Sequence, residues 1–256
     1  MRTALVGGAS RGLGLGCSKA LAKAGYRVVM CARQGDALEK AAHDVRAFGS
    51  GDVIAIPCDL SLGTDIEKLK NKLEEESIAI DILINNVGGP PPKIVTQVSE
   101  AEWEQGLDLL FRSTIRLYNI VLPGMRERKW GRIINILSTT AVEPSPTLAV
   151  SSVLRAALAS FAKLTAKDVA KEGITVNSLM PGGFLTSRTE ELMLDQAKRE
   201  NISNEEVCAR IEKSLPLGRF MEPIELGNFV AYLASDDASG ITGALIPVDG
   251  GSHVSL

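Results

Sequence analysis

Ala4-Leu5-Val6-Gly7-Gly8-Ala9-Ser10-Arg11-Gly12-Leu13-Gly14-Leu15-Gly16 is the stretch whose reading decides the fold. A short apolar run gives way to a glycine-dense turn, and Cys17-Ser18-Lys19-Ala20-Leu21-Ala22-Lys23-Ala24-Gly25 then reads as a helix. Glycines allow positive φ and let the main chain approach a ligand with no Cβ between them. The helix N-terminus that follows offers free N–H groups and a partial positive charge, which suit a pyrophosphate. Tyr26-Arg27-Val28-Val29-Met30-Cys31 supplies a second strand and completes a β–loop–α–β unit of the dinucleotide-binding kind. The glycines fall as Gly8-x-x-x-Gly12-x-Gly14, not as G-x-G-x-x-G. The reading therefore rests on the strand before, the helix after and the second strand at the right distance.

Strand and helix patterns alternate from there to the end of the chain, which predicts an α/β fold. The expected architecture is a Rossmann-like, doubly wound, seven-stranded parallel sheet flanked by helices. Further strands are expected at Val53-Ile54-Ala55-Ile56-Pro57-Cys58, Ile80-Asp81-Ile82-Leu83-Ile84 and Gly131-Arg132-Ile133-Ile134-Asn135-Ile136-Leu137-Ser138. Ile174-Thr175-Val176-Asn177-Ser178-Leu179 and Gly243-Ala244-Leu245-Ile246-Pro247-Val248 complete the sheet. Ser99-Glu100-Ala101-Glu102 resembles a capping signal for a helix reaching about residue 125. A long helix is expected over about residues 147–171, and a polar helical excursion over about residues 186–215. No linker or repeat divides the chain, so residues 1–256 read as one domain.

The formal charge of −3 shows no basic surplus, so nothing favours nucleic acid or an anionic membrane as partner. The partner expected is a small-molecule substrate. Cys17, Cys31, Cys58 and Cys208 form no C-x-x-C pair, and His43 and His253 stand outside any cluster, so no metal site is expected. The first strand begins almost at Met1 and no apolar run reads as long enough to cross a bilayer. A cytoplasmic protein with reduced thiols is expected.

Ligands in such sheets bind beyond the carboxyl ends of the strands. The residues at those ends resemble the short-chain dehydrogenase/reductase family over the whole chain, in particular its classical branch with the 3-oxoacyl carrier-protein reductases. Gly8-x-x-x-Gly12-x-Gly14 is similar to the family's cofactor loop, with Ser10, Arg11 and Leu13 inside it. Asp59-Leu60 resembles the pair that contacts adenine, and Asn85-Asn86-Val87-Gly88 resembles Asn-Asn-Ala-Gly. Pro181-Gly182, followed by Thr186, looks like the segment that holds the nicotinamide carboxamide, and Val248-Asp249-Gly250-Gly251 matches the usual ending. The resemblance implies a homotetramer or homodimer built through the long central helices.

The family's catalytic group is asparagine, serine, tyrosine and lysine. Serine is met at Ser138, but the run that should carry tyrosine and lysine reads Ser151-Ser152-Val153-Leu154-Arg155-Ala156-Ala157-Leu158. Ser151 then stands for tyrosine, Arg155 for lysine, and Leu110 for the helical asparagine. A phenol can pass a proton to a developing alkoxide near neutral pH, whereas a serine hydroxyl is far too weak an acid. Arginine donates hydrogen bonds but holds its protons. Ser138, Ser151 and Arg155 are thus the expected catalytic group, a hydroxyl-lined cationic pocket for an oxyanion. By family position Arg155 also faces the cofactor ribose. Glu143 and Tyr118, the remaining titratable residues nearby, read as structural.

The second strand ends Cys31-Ala32-Arg33, where an NAD-binding unit carries Asp or Glu. Arg11 and Arg33 suit a 2′-phosphate, so NADP(H) is expected ahead of NAD(H). The leading reading is an NADP(H)-dependent oxidoreductase that passes hydride to a carbonyl or other activated acceptor. Two alternatives stay open: a non-redox enzyme on this scaffold, like the halohydrin dehalogenases with their Ser-Tyr-Arg set, and a catalytically silent NADP(H)-binding protein.

Overall fold

The computed structural model describes residues 1–49 and 52–253. Its seven strands are β1 (Thr3–Gly7), β2 (Arg27–Ala32), β3 (Val53–Pro57), β4 (Ile82–Asn85), β5 (Gly131–Ile136), β6 (Ile174–Pro181) and β7 (Leu245–Val248). All are parallel and lie in the order β3-β2-β1-β4-β5-β6-β7. The order reverses direction at β1, between β2 and β4, and the crevice of a doubly wound sheet opens at such a point. β1 is an inner strand, with Val6 beside Met30 of β2 and Ile84 of β4.

Side chains alternate across each strand, so both faces need cover. Ala4, Val6, Val28 and Met30 face α1 (Gly12–Lys23), α2 (Gly35–Phe48) and, further along the chain, α9 (Pro223–Leu233). Leu5, Val29, Leu83 and Ile133 face α3 (Gly63–Glu75), α5 (Ser113–Arg128) and α6 (Ala149–Val169). The remaining helices, α4 (Glu100–Gly106), α7 (Ser187–Glu200) and α8 (Asn204–Ser214), stand near or above the crevice. α1 and α9 touch backbone to backbone: a Cβ on Gly16 would run into Pro223, and one on Gly227 into the Gly16 carbonyl.

Several boundaries differ from the sequence reading. α1 begins at Gly12, inside the glycine run, because Gly12 takes φ +55° and the chain then turns directly into the helix. β5 stops at Ile136, leaving Ser138 in the loop beyond the strand. The helix from Ser99 is interrupted by a wide π-type turn over Leu107–Arg112 before α5 begins. The predicted cap is present, with Ser99 and Glu102 bonding each other's backbone N–H groups. The expectation that no segment could cross a bilayer needs correction. The helical stretch Ala149–Glu172 is long and apolar enough by composition, and half of it is buried inside the fold. It covers the sheet, and Leu158, Ala162 and Ala166 are among its buried residues.

Candidate active site and nucleotide cleft

One cavity of about 830 Å³ opens at the carboxyl ends of the strands. Gly8, Ser10, Arg11, Gly12, Leu13, Arg33, Asp59, Leu60, Asn86, Val87, Gly88, Arg155 and Thr186 all line it. Segments far apart in the chain therefore meet in one place. Gly14, Pro181, Gly182, Ser138 and Ser151 are not on its wall.

The glycine loop is shaped by its neighbours. Gly8 takes φ +56° and Gly12 φ +55°, a region costly for any residue with a Cβ. Gly14 acts from beneath: a Cβ there would collide with the Gly8 carbonyl and stand 2.9 Å from Asn86 Nδ2. Asn86 Nδ2 donates to the Gly7 carbonyl at 2.9 Å, tying the end of β4 to the end of β1. Asp59 accepts from the backbone and hydroxyl of Ser61 at 2.9 and 2.7 Å, which fixes the turn after β3. Arg33 has no ion-pair partner among the described residues, whereas Arg11 lies 3.5 Å from Glu191 of α7.

Arg155 is 7% exposed and reaches inward from α6. Its Nη1 donates to the Ile136 and Leu137 carbonyls, both at 2.9 Å, and its Nε to Ser151 Oγ at 3.1 Å. Burial pulls its pKa down to about 10. The guanidinium clamps α6 to the end of β5, and Arg155 also lines the cavity. Ser151, one turn earlier, is buried as the acceptor in this clamp, and Ser138 Oγ accepts from Thr140 N at 3.2 Å. The expected pocket of two hydroxyls and one cation is thus reduced, on the cavity wall, to the cation. The cause is the reach of the fork: arginine at this depth meets strand-end carbonyls before it meets the cavity.

Tyr118 and Glu143, the two residues read as structural, each have a side-chain partner. Tyr118 is buried, and its hydroxyl donates to Asn135 Oδ1 at 3.1 Å. Burial pushes its phenol well above the ordinary value, which removes it as a proton donor. Glu143 lies 3.2 Å from His253 Nδ1.

Other wall residues are not singled out by the sequence, although loops beside the strand ends carry specificity and both the loop 90–93 and the excursion 185–215 are expected to wall the substrate site. Lys93 and Glu102 both line the cavity, with Lys93 Nζ donating to the two Glu102 oxygens at 2.7 and 2.8 Å. Bonds from Lys93 and from the backbone and hydroxyl of Ser99 hold the Glu102 carboxyl at about 2. Glu102 was legible as a helix cap and for that reason hid as a wall residue. Arg188 and Glu191 of α7 also face the cavity, Arg188 Nη2 donating to the Pro90 carbonyl at 2.9 Å. Both lie in the excursion expected to wall the site, but no local pattern tells which of its side chains face the cavity.

A parallel sheet with this strand order, a glycine loop at its switch point and a cleft spanning β1 to β6 is matched by known proteins. The family model described as enoyl-(acyl carrier protein) reductase covers residues 8–253. The chain belongs to the short-chain dehydrogenase/reductase family. Among its relatives in that family, the 3-oxoacyl-[acyl-carrier-protein] reductase FabG of Pseudomonas aeruginosa is 32% identical over 257 residues, 99% of this chain and 98% of the relative. YwfH, an NADPH-dependent reductase involved in bacilysin biosynthesis, superposes with TM-score 0.94 at 30% identity, covering 100% of this chain and 99% of that one. The L-sorbose reductase of Gluconobacter frateurii, solved with NADPH and L-sorbose, gives TM-score 0.94 at 29% identity, covering 100% and 97%.

Proposed function

We propose that this short-chain dehydrogenase/reductase is an NADP(H)-dependent reductase of carbonyl or similarly activated compounds. The observation that carries the reading is the backbone cradle at the end of β1. Gly8 and Gly12 take positive φ on the cavity wall, where α1 begins, and the first N–H groups of a helix have no partner within it. Gly8, Ser10, Gly12 and Leu13 would hold the pyrophosphate, with Gly14 keeping the cradle open from below. Arg11 and Arg33 would take the 2′-phosphate, since no carboxylate ends β2 to receive a ribose hydroxyl. Asp59 and Leu60 would flank the adenine. Asn86, Val87, Gly88, Pro181, Gly182 and Thr186 would frame the nicotinamide half. Related proteins that use NADPH support the same choice.

When bound, NADPH supplies a hydride to the acceptor carbon. The remaining work is electrostatic. In this reading Ser151 and Arg155 replace the family's tyrosine and lysine. Ser151 orients the guanidinium, which stabilises negative charge growing on the acceptor, Ser138 fixes the turn after β5 by accepting from Thr140 N, and water delivers the proton. The segment over residues 186–215 forms the substrate wall. Val153 and Leu164 on α6 are 52% and 63% exposed, which supports assembly of a homo-oligomer through that face.

The test is loss of nicotinamide absorbance with a panel of oxoacyl thioesters, diketones and imines. Turnover by the natural chain supports the reading. A second reading, a silent NADP(H)-binding protein, is favoured by the inward engagement of Arg155. It would be preferred if NADPH binds tightly and only the double substitution Ser151→Tyr with Arg155→Lys reduces ketones.

A further inference from the structure

The substrate half of the cleft carries a charge arrangement that the nucleotide does not use. Lys93, Arg155 and Arg188 line it, against the carboxylates of Glu102 and Glu191. Cations are in excess there although the whole chain carries −3. A cleft with low-dielectric walls concentrates such a local excess.

Lys93 is held more firmly than a loop lysine usually is. Its N–H donates to the Thr147 carbonyl at 2.7 Å, and its carbonyl accepts from Ala149 N at 3.2 Å. These bonds pin it to the turn that starts α6. Glu102 fixes the ammonium from the other side, at 2.7 and 2.8 Å. An ammonium has three N–H donors. With Glu102 fixing it to one wall, the group keeps a donor for a second partner. Arg188 approaches from α7 across the same loop, with Nη2 on the Pro90 carbonyl at 2.9 Å. Among the described residues its one ion-pair partner is Glu191, 3.5 Å away and shared with Arg11 at the same distance. Both cations thus belong to or touch residues 90–93 of one proline-rich loop, and with Arg11 three cations share the two carboxylates of Glu102 and Glu191.

We infer that Lys93 and Arg188 form an anion-binding subsite, and that the substrate is an oxo acid held by its carboxylate. The inference rests on the reductase reading for the word substrate, but the subsite is tested by binding alone. The probes are oxo acids of graded chain length, each beside its methyl ester, titrated by calorimetry into the full chain saturated with NADP⁺. Acids should bind about tenfold or more tightly than their esters, the size expected of a charge-assisted hydrogen bond. Added salt should narrow the gap. Lys93→Met and Arg188→Met should each bring the acid-to-ester preference down by about tenfold. Lys93→Arg should keep most of it, and its melting temperature separates a lost subsite from a lost fold.

Equal binding of acids and esters, no binding of either, or a preference that survives both methionine variants overturns the inference. Hydride transfer is measured separately. Acid-selective binding without NADPH oxidation leaves the subsite standing and removes the reductase. Turnover of acids and esters alike does the reverse.

Discussion

The two halves of the cleft are built by different means. The nucleotide half is made of main chain: positive-φ glycines, a helix start and the Asn86 brace to Gly7. The substrate half is made of side chains sent from separate elements: Lys93 from the loop after β4, Glu102 from α4, Arg155 from α6 and Arg188 from α7. Main-chain sites need particular residues at fixed local spacing, because a single Cβ in the wrong place blocks them. Side-chain sites tolerate changes of residue as long as the fold keeps delivering groups to the same place. That difference accounts for a recognisable motif in one half and, under the reading proposed above, a changed set of side chains in the other.

Substitutions on each side can break or sharpen this contrast. The largest effect is expected at Arg155, where the proposed role in the site and the structural clamp coincide. Arg155→Met removes hydrogen bonds to two strand-end carbonyls and should cost about 2–4 kcal/mol of stability. Urea unfolding measures it. A loss below about 1 kcal/mol, the value of an exposed pair, would mean that the clamp is not structural. Gly14→Ala comes next, since its new Cβ collides with the Gly8 carbonyl. NADPH affinity should fall by roughly 100-fold with a stability loss of only about 1–3 kcal/mol, read by fluorescence titration and melting.

A smaller, selective effect is expected from Arg33→Ala. NADPH should bind about tenfold more weakly, with NADH unchanged, because a lost charge-assisted contact to the 2′-phosphate touches only one of them. Equal losses for both nucleotides would remove Arg33 from that role. The mildest effect is in acid. Glu102 sits at about 2 in the fold against an ordinary 4.5, so its ties to Lys93 and Ser99 stabilise fully above pH 4.5 and are lost as pH falls toward 2. Melting of Glu102→Gln should therefore be flatter than that of the natural chain between those two values, and parallel curves would refute the tie.

The sheet, its strand count and the switch-point cleft could be read from periodicity and turn chemistry, because these depend on neighbours within a few residues. The start of α1 was misplaced because Gly12 both turns the chain and opens the helix, a choice local propensity does not encode. Ser138 read as the end of a strand, yet pairing with β6 stops at Ile136. Glu102 shows the deeper difficulty: its capping pattern was correct, and nothing in that pattern told that the same carboxylate would face a cleft and hold Lys93.

The chain's order of residues alone determined an alternating α/β architecture with a glycine cradle, since hydrophobic period and absent Cβ atoms act at short range. Only the tertiary structure decided that Arg155 turns inward to strand carbonyls and that Lys93 and Arg188 converge from elements far apart in sequence. The direction in which a long charged side chain points depends on which partner packing brings within its reach, and packing is a property of the whole fold.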